Sequence, residues 1–238
     1  MSYYSRWDVN SGPGFLAPEL NKAGSNTTVD NIAINLARLA SRMTGDKLLA
    51  IETTAANLPI MARATDGMPP SILNASVSMK ITPTGSNGTV RILAFHHHPW
   101  FNATEVKAIQ PGRVHVTVCG FASWKARFQS PSKVHGVMWQ LDDMHAQFWP
   151  TWEDDLMLAN INTTVPGQFS WFQDGGGPWD ADEDTGAYKL WLARAAEYRK
   201  LAQLQTETAE DAFMNGGCLQ VTATLAPHSV VLFEYPLN

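Results

Sequence analysis

Between residues 29 and 43 apolar positions recur every three or four residues: Val29, Ile32, Leu36, Leu39 and Met43 in VDNIAINLARLASRM. That spacing predicts an amphipathic helix, with Thr28 capping its first turn and Gly45 just past its end. From Lys47 the period shortens to two. The runs KLLAIETTA, PIMARATD, SVSMKITPTG, TVRILAFHHH, RVHVTVCGFA, VHGVMWQLD, CLQVTATL and SVVLFEYPL are rich in β-branched residues and separated by turn chemistry such as TDGMPP and SNG. They predict about eight short strands, and that spacing implies an antiparallel β-sandwich. A second helix reads in AYKLWLARAAEYRKLAQLQ, with Leu190, Ala193, Leu201 and Leu204 on its expected buried side. It stands before the last two strands, where it would pack across the sandwich or against another domain. Ahead of the first helix, SYYSRW reads as a strand without a preceding partner, followed by a loop of Gly, Pro and Asn.

Composition narrows the class. The 238 residues are 45% apolar and 16% charged, with a mean hydropathy of -0.17, which describes an ordinary globular chain able to bury a core. A net charge of -5 argues against a nucleic-acid partner, which calls for a basic stripe. No run reaches the ~18 apolar residues of a membrane span. Five Asn-x-Ser/Thr sequons, at Asn26, Asn74, Asn87, Asn102 and Asn162, point to a glycoprotein of the secretory route, either secreted or resident in a lysosomal or vacuolar lumen. The first residues carry no secretion signal, so the expectation is that the chain is a fragment of a longer protein. Cys119 and Cys218 lie in separate apolar runs; they form either one cross-strand disulfide or two buried thiols, and neither has a Cys-x-x-Cys partner for zinc.

Three stretches carry candidate chemistry. In HHHPW, a strand would point His96 and His98 to one face and His97 to the other. Two imidazoles at i and i+2 can chelate a metal, but a stable site needs a third ligand and an orienting group, and no His-Glu-x-x-His accompanies them. The reading favoured is a strand end, with no metal. LDDMHAQFWPTWEDD gathers Asp142, Asp143, His145, Glu153, Asp154 and Asp155. Paired carboxylates serve glycoside hydrolysis, one as acid and one as nucleophile or base, yet adjacent Asp residues also form turns and caps. An ordered loop joining the sandwich to another domain is expected here. QDGGGPWDADEDTG matches neither a phosphate loop nor a calcium-binding hand and reads as an acidic surface loop. Nine Trp suit either core packing or sugar stacking, with Trp100, Trp149 and Trp171 as surface candidates.

The order of several segments carries a resemblance. NIAINLARLASRM runs into GDKLLAI, then GTVRILAFHHH, GVMWQLDDMHAQFWPTWEDD, a helix, and the closing GGCLQVTATLAPHSVVLFEYPL. Across residues 27 to 237 this resembles the C-terminal portion of glycoside hydrolase family 39, the β-xylosidases and α-L-iduronidases. In that family a helix closing the catalytic barrel precedes a β-sandwich, and an Asp-x-x-His with a later Trp follows a sandwich strand. Asp142, His145 and Trp152 take those places, while Pro227 and Ser229 precede the last apolar run. The long NINTTVPGQFSWFQDGGGPWDADEDTG departs from the family pattern.

The resemblance implies a mainly β fold: residues 1–45 as the last strand and helix of a (β/α)8 barrel, and residues 46–238 as the accessory sandwich with one long helix inserted. It implies a retaining hydrolase without cofactor, whose acid/base Glu sits in an Asn-Glu-Pro setting. No Asn-Glu dipeptide occurs in this chain. The catalytic carboxylates are therefore expected upstream, the chain alone is expected to be inactive, and its carbohydrate partner is expected to bind through the missing barrel. Trp7 and Asp8, at the end of the first strand, are the residues expected to face substrate. The alternative is a non-catalytic carbohydrate-binding or adhesion sandwich.

Overall fold

The structure is a computed structural model, and it describes residues 16–18, 28–30, 32–43, 47–49, 72–81, 88–97, 110–120, 132–160 and 186–237. The protein is mainly β, with two antiparallel sheets of four and six strands and few helices. It divides into two compact units, one of Met1–Tyr3, Leu36–Asp142 and Gln205–Asn238, the other of Tyr4–Asn35 and Asp143–Leu204.

The first unit holds both large sheets. Strands β3 (Lys47–Leu49), β4 (Ile72–Ile81), β5 (Gly88–His97), β12 (Ser229–Leu237), β8 (Val137–Leu141) and β9 (Glu207–Thr208) form the larger sheet in the spatial order β3-β4-β5-β12-β8-β9. The smaller sheet runs β6 (Gly112–Cys119), β11 (Cys218–Leu225), β10 (Ala212–Asn215) and β7 (Ser132–Val134). Alternation fixes which side chains turn inward. Leu73, Ala75 and Val77, then Val90, Ile92 and Ala94, then Val231, Phe233, Tyr235 and Leu237 face Val116, Val118, Met214, Leu219, Val221 and Leu225 in one core. At ~1.5–3 kcal/mol for each fully buried large apolar side chain, this shared core is the main term holding the sheets face to face.

The opposite face of the larger sheet is partly covered as well. Trp139, Leu141 and Leu232 are buried there. Part of that cover comes from the helix α1 (Ile32–Arg42): the Arg42 guanidinium lies 4.3 Å over the Trp139 ring, and Ser78 Oγ is 3.8 Å from Met43 Sδ just past the helix end. Leu39 is the fully buried apolar residue of the helix, whereas Leu36 is 36% exposed. The helix starts at Ile32 rather than at a Thr28 cap. Thr28 lies in a short strand β2 (Thr28–Asp30) paired with β1 (Leu16–Pro18), inside the stretch read as loop.

That ribbon belongs to the second unit, with helices α2 (Trp149–Leu158) and α3 (Gly186–Ala202). Pro150 suits the first turn of α2, where the N–H it lacks has no helical partner to lose. Asn160, at φ 55°, ends that helix in the left-handed region Asn tolerates. The buried side of α3 is Ala195, Tyr198 and Ala202, not the expected leucine side: Leu190, Leu201 and Leu204 are half-buried and Ala193 is exposed. Phe148, Trp152 and Leu156 are buried in the same unit, and the Tyr198 ring lies 5.4 Å from Trp152, edge to face, and 6.1 Å from Phe148. Asn35 Nδ2 donates to the carbonyls of Ala146 and Ala202 at 2.8 and 2.6 Å, the second being a helix-end carbonyl without an intrahelical donor. Four strands follow α3, where two were expected. The extra ones are the two-residue β9 and the four-residue β10. Of the segment 1–45 expected to form a barrel remnant, only 16–18, 28–30 and 32–43 are described.

Candidate functional site

The best-defined open surface is the outer face of the four-stranded sheet. Alternation turns Arg113, His115 and Thr117 outward on β6, Gln220, Thr222 and Thr224 on β11, Phe213 and Asn215 on β10, and Lys133 on β7. Register sets Phe213 directly between Gln220 and Lys133, with Thr117 opposite Gln220 one strand further. Phe213 is 43% exposed, an aromatic ring open to water in the middle of a polar face. Lys133 Nζ donates to Asp211 Oδ2 at 2.6 Å, and His135 Nδ1 lies 3.1 Å from Asp211 Oδ1. The Lys133 hydrogen bond, with the positive charge behind it, holds the Asp211 carboxyl below the usual carboxylate range. His115 Nδ1 and Thr222 Oγ1 are 2.8 Å apart. An aromatic face flanked by an amide, hydroxyls and an ion pair can receive the C–H face of a sugar ring while hydrogen-bonding its hydroxyls.

At one end of this face β6 and β11 are linked covalently. Cys119 and Cys218 are direct cross-strand partners, their Cα atoms 4.1 Å apart, and they form a disulfide. Cys119 is exposed and Cys218 half-buried, so the bond lies on the outer face rather than in the core.

The clustered carboxylates are engaged in the fold. Asp142 is buried and accepts from Gln140 Nε2. Asp143 accepts from Gln147 Nε2 at 3.3 Å. Asp155, on α2, accepts the Tyr198 hydroxyl at 2.5 Å and pairs with Arg194, both on α3. Arg194 also donates to both Glu197 oxygens, at 2.9 and 2.7 Å. Burial, followed by the hydrogen bond to Asp155, pushes the Tyr198 phenol above its ordinary range. Asp154 is exposed, and the Glu153 side chain is outside the described residues. This is the chemistry of two helices fastened together.

The remaining candidates divide between those described and those not. His96 is buried with Nδ1 3.3 Å from the Leu225 carbonyl, while His97 is exposed and meets His228 edge to face at 6.0 Å. His98 lies outside the described residues. Among the described residues no three His, Cys, Asp or Glu side chains gather as a metal-binding group, and no described helix is long and apolar enough to cross a membrane. Trp139 and Trp152 are core residues; Trp100 and Trp171, the Trp149 side chain, and Trp7 and Asp8 lie outside the described residues. Of the sequons, Asn74 is described and exposed, while Asn26, Asn87, Asn102 and Asn162 are not described.

Sequence reasoning missed Phe213, Lys133 and Asp211. The available signal was the Asn-Gly-Gly before Cys218, a two-residue hairpin turn with Gly216 and Gly217 at φ 58° and 80°, which implies a strand on its upstream side. No family model and no curated protein matches this chain.

Proposed function

We propose that this chain is an accessory module of a secretory-pathway glycoside hydrolase similar to family 39, acting on a xyloside, uronide or related glycoside. Hydrolysis in that reading belongs to a barrel whose last strand and helix fall within residues 1–45, with Trp7 and Asp8 at its substrate end. The two-carboxylate chemistry is not supplied by the acids described here. One observation carries this: Asp142, Asp143 and Asp155 are each occupied by Gln140, Gln147, or Tyr198 with Arg194. A retaining mechanism needs two carboxyls ~5–5.5 Å apart and facing an open cleft. The purified chain should therefore show no turnover of aryl xylosides or uronides. Turnover abolished by Asp142→Asn or Asp155→Asn would overturn the proposal.

A second reading, a non-catalytic sugar-binding module, is favoured by the exposed Phe213 between Gln220 and Lys133. In that reading Phe213→Ala lowers retention on immobilised xylan or uronate oligosaccharides at least tenfold without changing the melting temperature. Unchanged retention would remove the face from consideration.

A further inference from the structure

Strand β4 is paired unevenly. On one side it matches β5 along its whole length, from Ile72 opposite His97 to Ile81 opposite Gly88. On the other it meets β3 only at Val77, Ser78 and Met79. Among the described residues no strand pairs with the outer side of 72–76. A half-edge of this kind presents backbone donors and acceptors that a second chain can extend.

Asn74 sits in the middle of that half-edge. Its side chain is exposed, as is that of Ser76 two residues on, and both turn to the sheet face away from the core. They are the acceptor and hydroxyl positions of the sequon Asn74-Ala75-Ser76. Asn74 Oδ1 accepts the Ala75 N–H at 2.8 Å, which fixes the amide plane through its oxygen, while Nδ2 is the atom to which an N-linked sugar is joined. The surroundings are apolar: Ile72 is 51% exposed, and half-buried Phe95 lies directly opposite Asn74 on β5.

We infer that Asn74 carries an N-linked glycan that covers Ile72 and Phe95 and blocks the open half of β4 against pairing with a second copy of this chain. The transfer joins Asn74 Nδ2 to the anomeric carbon of a lipid-diphosphate-linked oligosaccharide. The bond from that carbon to the diphosphate oxygen breaks, the lipid diphosphate leaves with the electron pair, and the amide proton passes to a base of the transferase. A solvated oligosaccharide on the strand does what charged or proline residues do on other sheet edges, and it removes a hydrophobic patch from contact.

The inference rests on the secretory reading, and the test separates the two. The full chain is directed into the secretory route of a eukaryotic host behind that host's leader, and all five sequons are mapped by mass spectrometry after enzymatic glycan release. Asn74 is expected to be occupied. Release of the glycans from the folded wild-type protein should shift it from monomer to dimer or larger in sedimentation. Ser76→Ala, which removes only this sequon, should do the same, with Asn74→Gln as a second variant. Adding Ile72→Lys to Ser76→Ala should restore the monomer by charging the edge. An unmodified Asn74 beside modified Asn26, Asn87, Asn102 or Asn162 would overturn the inference and leave the secretory reading standing. A chain with no sequon occupied would remove both. An occupied Asn74 whose removal leaves the protein monomeric would refute the edge-blocking role.

Discussion

Replacing both cysteines, Cys119→Ser with Cys218→Ser, tests how the smaller sheet is held. The bond closes a loop of sequence separation 99. Chain entropy for a loop of roughly 100 residues assigns such a bond about 4.7 kcal/mol, acting on the unfolded chain, and measured losses usually fall at about 2–4 kcal/mol. Packing adds little here, because Cys119 is exposed and Cys218 only half-buried, so serine leaves no core cavity. The β6–β11 register runs eight residues, from Cys218 opposite Cys119 to Leu225 opposite Gly112, and does not depend on the bond for its alignment. The native sheet should therefore survive the change. With a urea slope of ~3 kcal/mol/M, a loss of ~3 kcal/mol lowers the unfolding midpoint by ~1 M. Reduction of the wild-type chain should reproduce the variant. The loss should fall on the folding rate, because the cross-link restricts the unfolded ensemble. A midpoint unchanged within ~0.2 M, or a loss confined to the unfolding rate, would refute loop closure as the source of stabilisation.

Two further changes probe the rest of the fold. Tyr198→Phe removes the hydroxyl that Asp155 accepts at 2.5 Å and should cost about 1.5–3 kcal/mol in urea melts, as bonds to charged groups do. Because the folded-state pKa values of Tyr198 and Tyr235 are both raised, their contribution is complete below pH ~10 and falls as pH rises above it. Tyr198→Phe should flatten that alkaline loss, and an unchanged slope would contradict the assignment. Gly136→Ala places a Cβ 2.6 Å from the Glu234 carbonyl and 2.5 Å from Tyr235 Cδ1. The Tyr235 ring is pinned through its hydroxyl to the Glu210 carbonyl at 2.8 Å. The ring cannot swing aside, so thermal melts should show a loss of ~1–3 kcal/mol; a neutral substitution would mean that β12 yields.

The sequence revealed those elements in which periodicity and length agreed. Val90, Ile92, Ala94 and His96 alternate with Arg91, Leu93, Phe95 and His97, and that alternation alone separates core from outer face. β9 and β10 were hidden by brevity: two and four residues cannot display a period, and β10 is marked only by the glycine turn after it. The face of α3 was misjudged because hydrophobicity drew attention to its leucines. The contact is instead made by Ala195, Tyr198 and Ala202, small residues around one large ring. Within the acidic cluster, residue type suggested catalysis, but Tyr198 and Arg194, which engage Asp155, lie about forty residues further along the chain. Such long-range partnerships leave no local pattern. The same limit hid the outer face of the smaller sheet, which three strands assemble around Phe213.

Strands β11 and β12 are consecutive in sequence yet serve different sheets, β11 between β6 and β10, and β12 between β5 and β8. Each is internal to its sheet, so the corner joining them sets the spacing of both layers. That corner is held from several directions. His228 takes φ 57°, a left-handed turn conformation in which His is enriched. Ser229 Oγ donates to the Ala226 carbonyl at 2.7 Å. From the neighbouring strand His96, opposite Ser229 in register, brings Nδ1 to 3.3 Å from the Leu225 carbonyl, the last of β11. A buried carbonyl at a strand end has lost its ladder partner and needs another donor, and an imidazole protonated on Nδ1 supplies one where an aliphatic residue cannot. With the disulfide at the far end of β11 and this corner at the near end, the strand beneath Gln220 and beside Phe213 is fixed at both limits. The first histidine of the run thus acts through the main chain of the opposite sheet. Its chemistry serves the rigidity of the face that the second reading assigns to sugar, and a metal is not required to explain its place in the core.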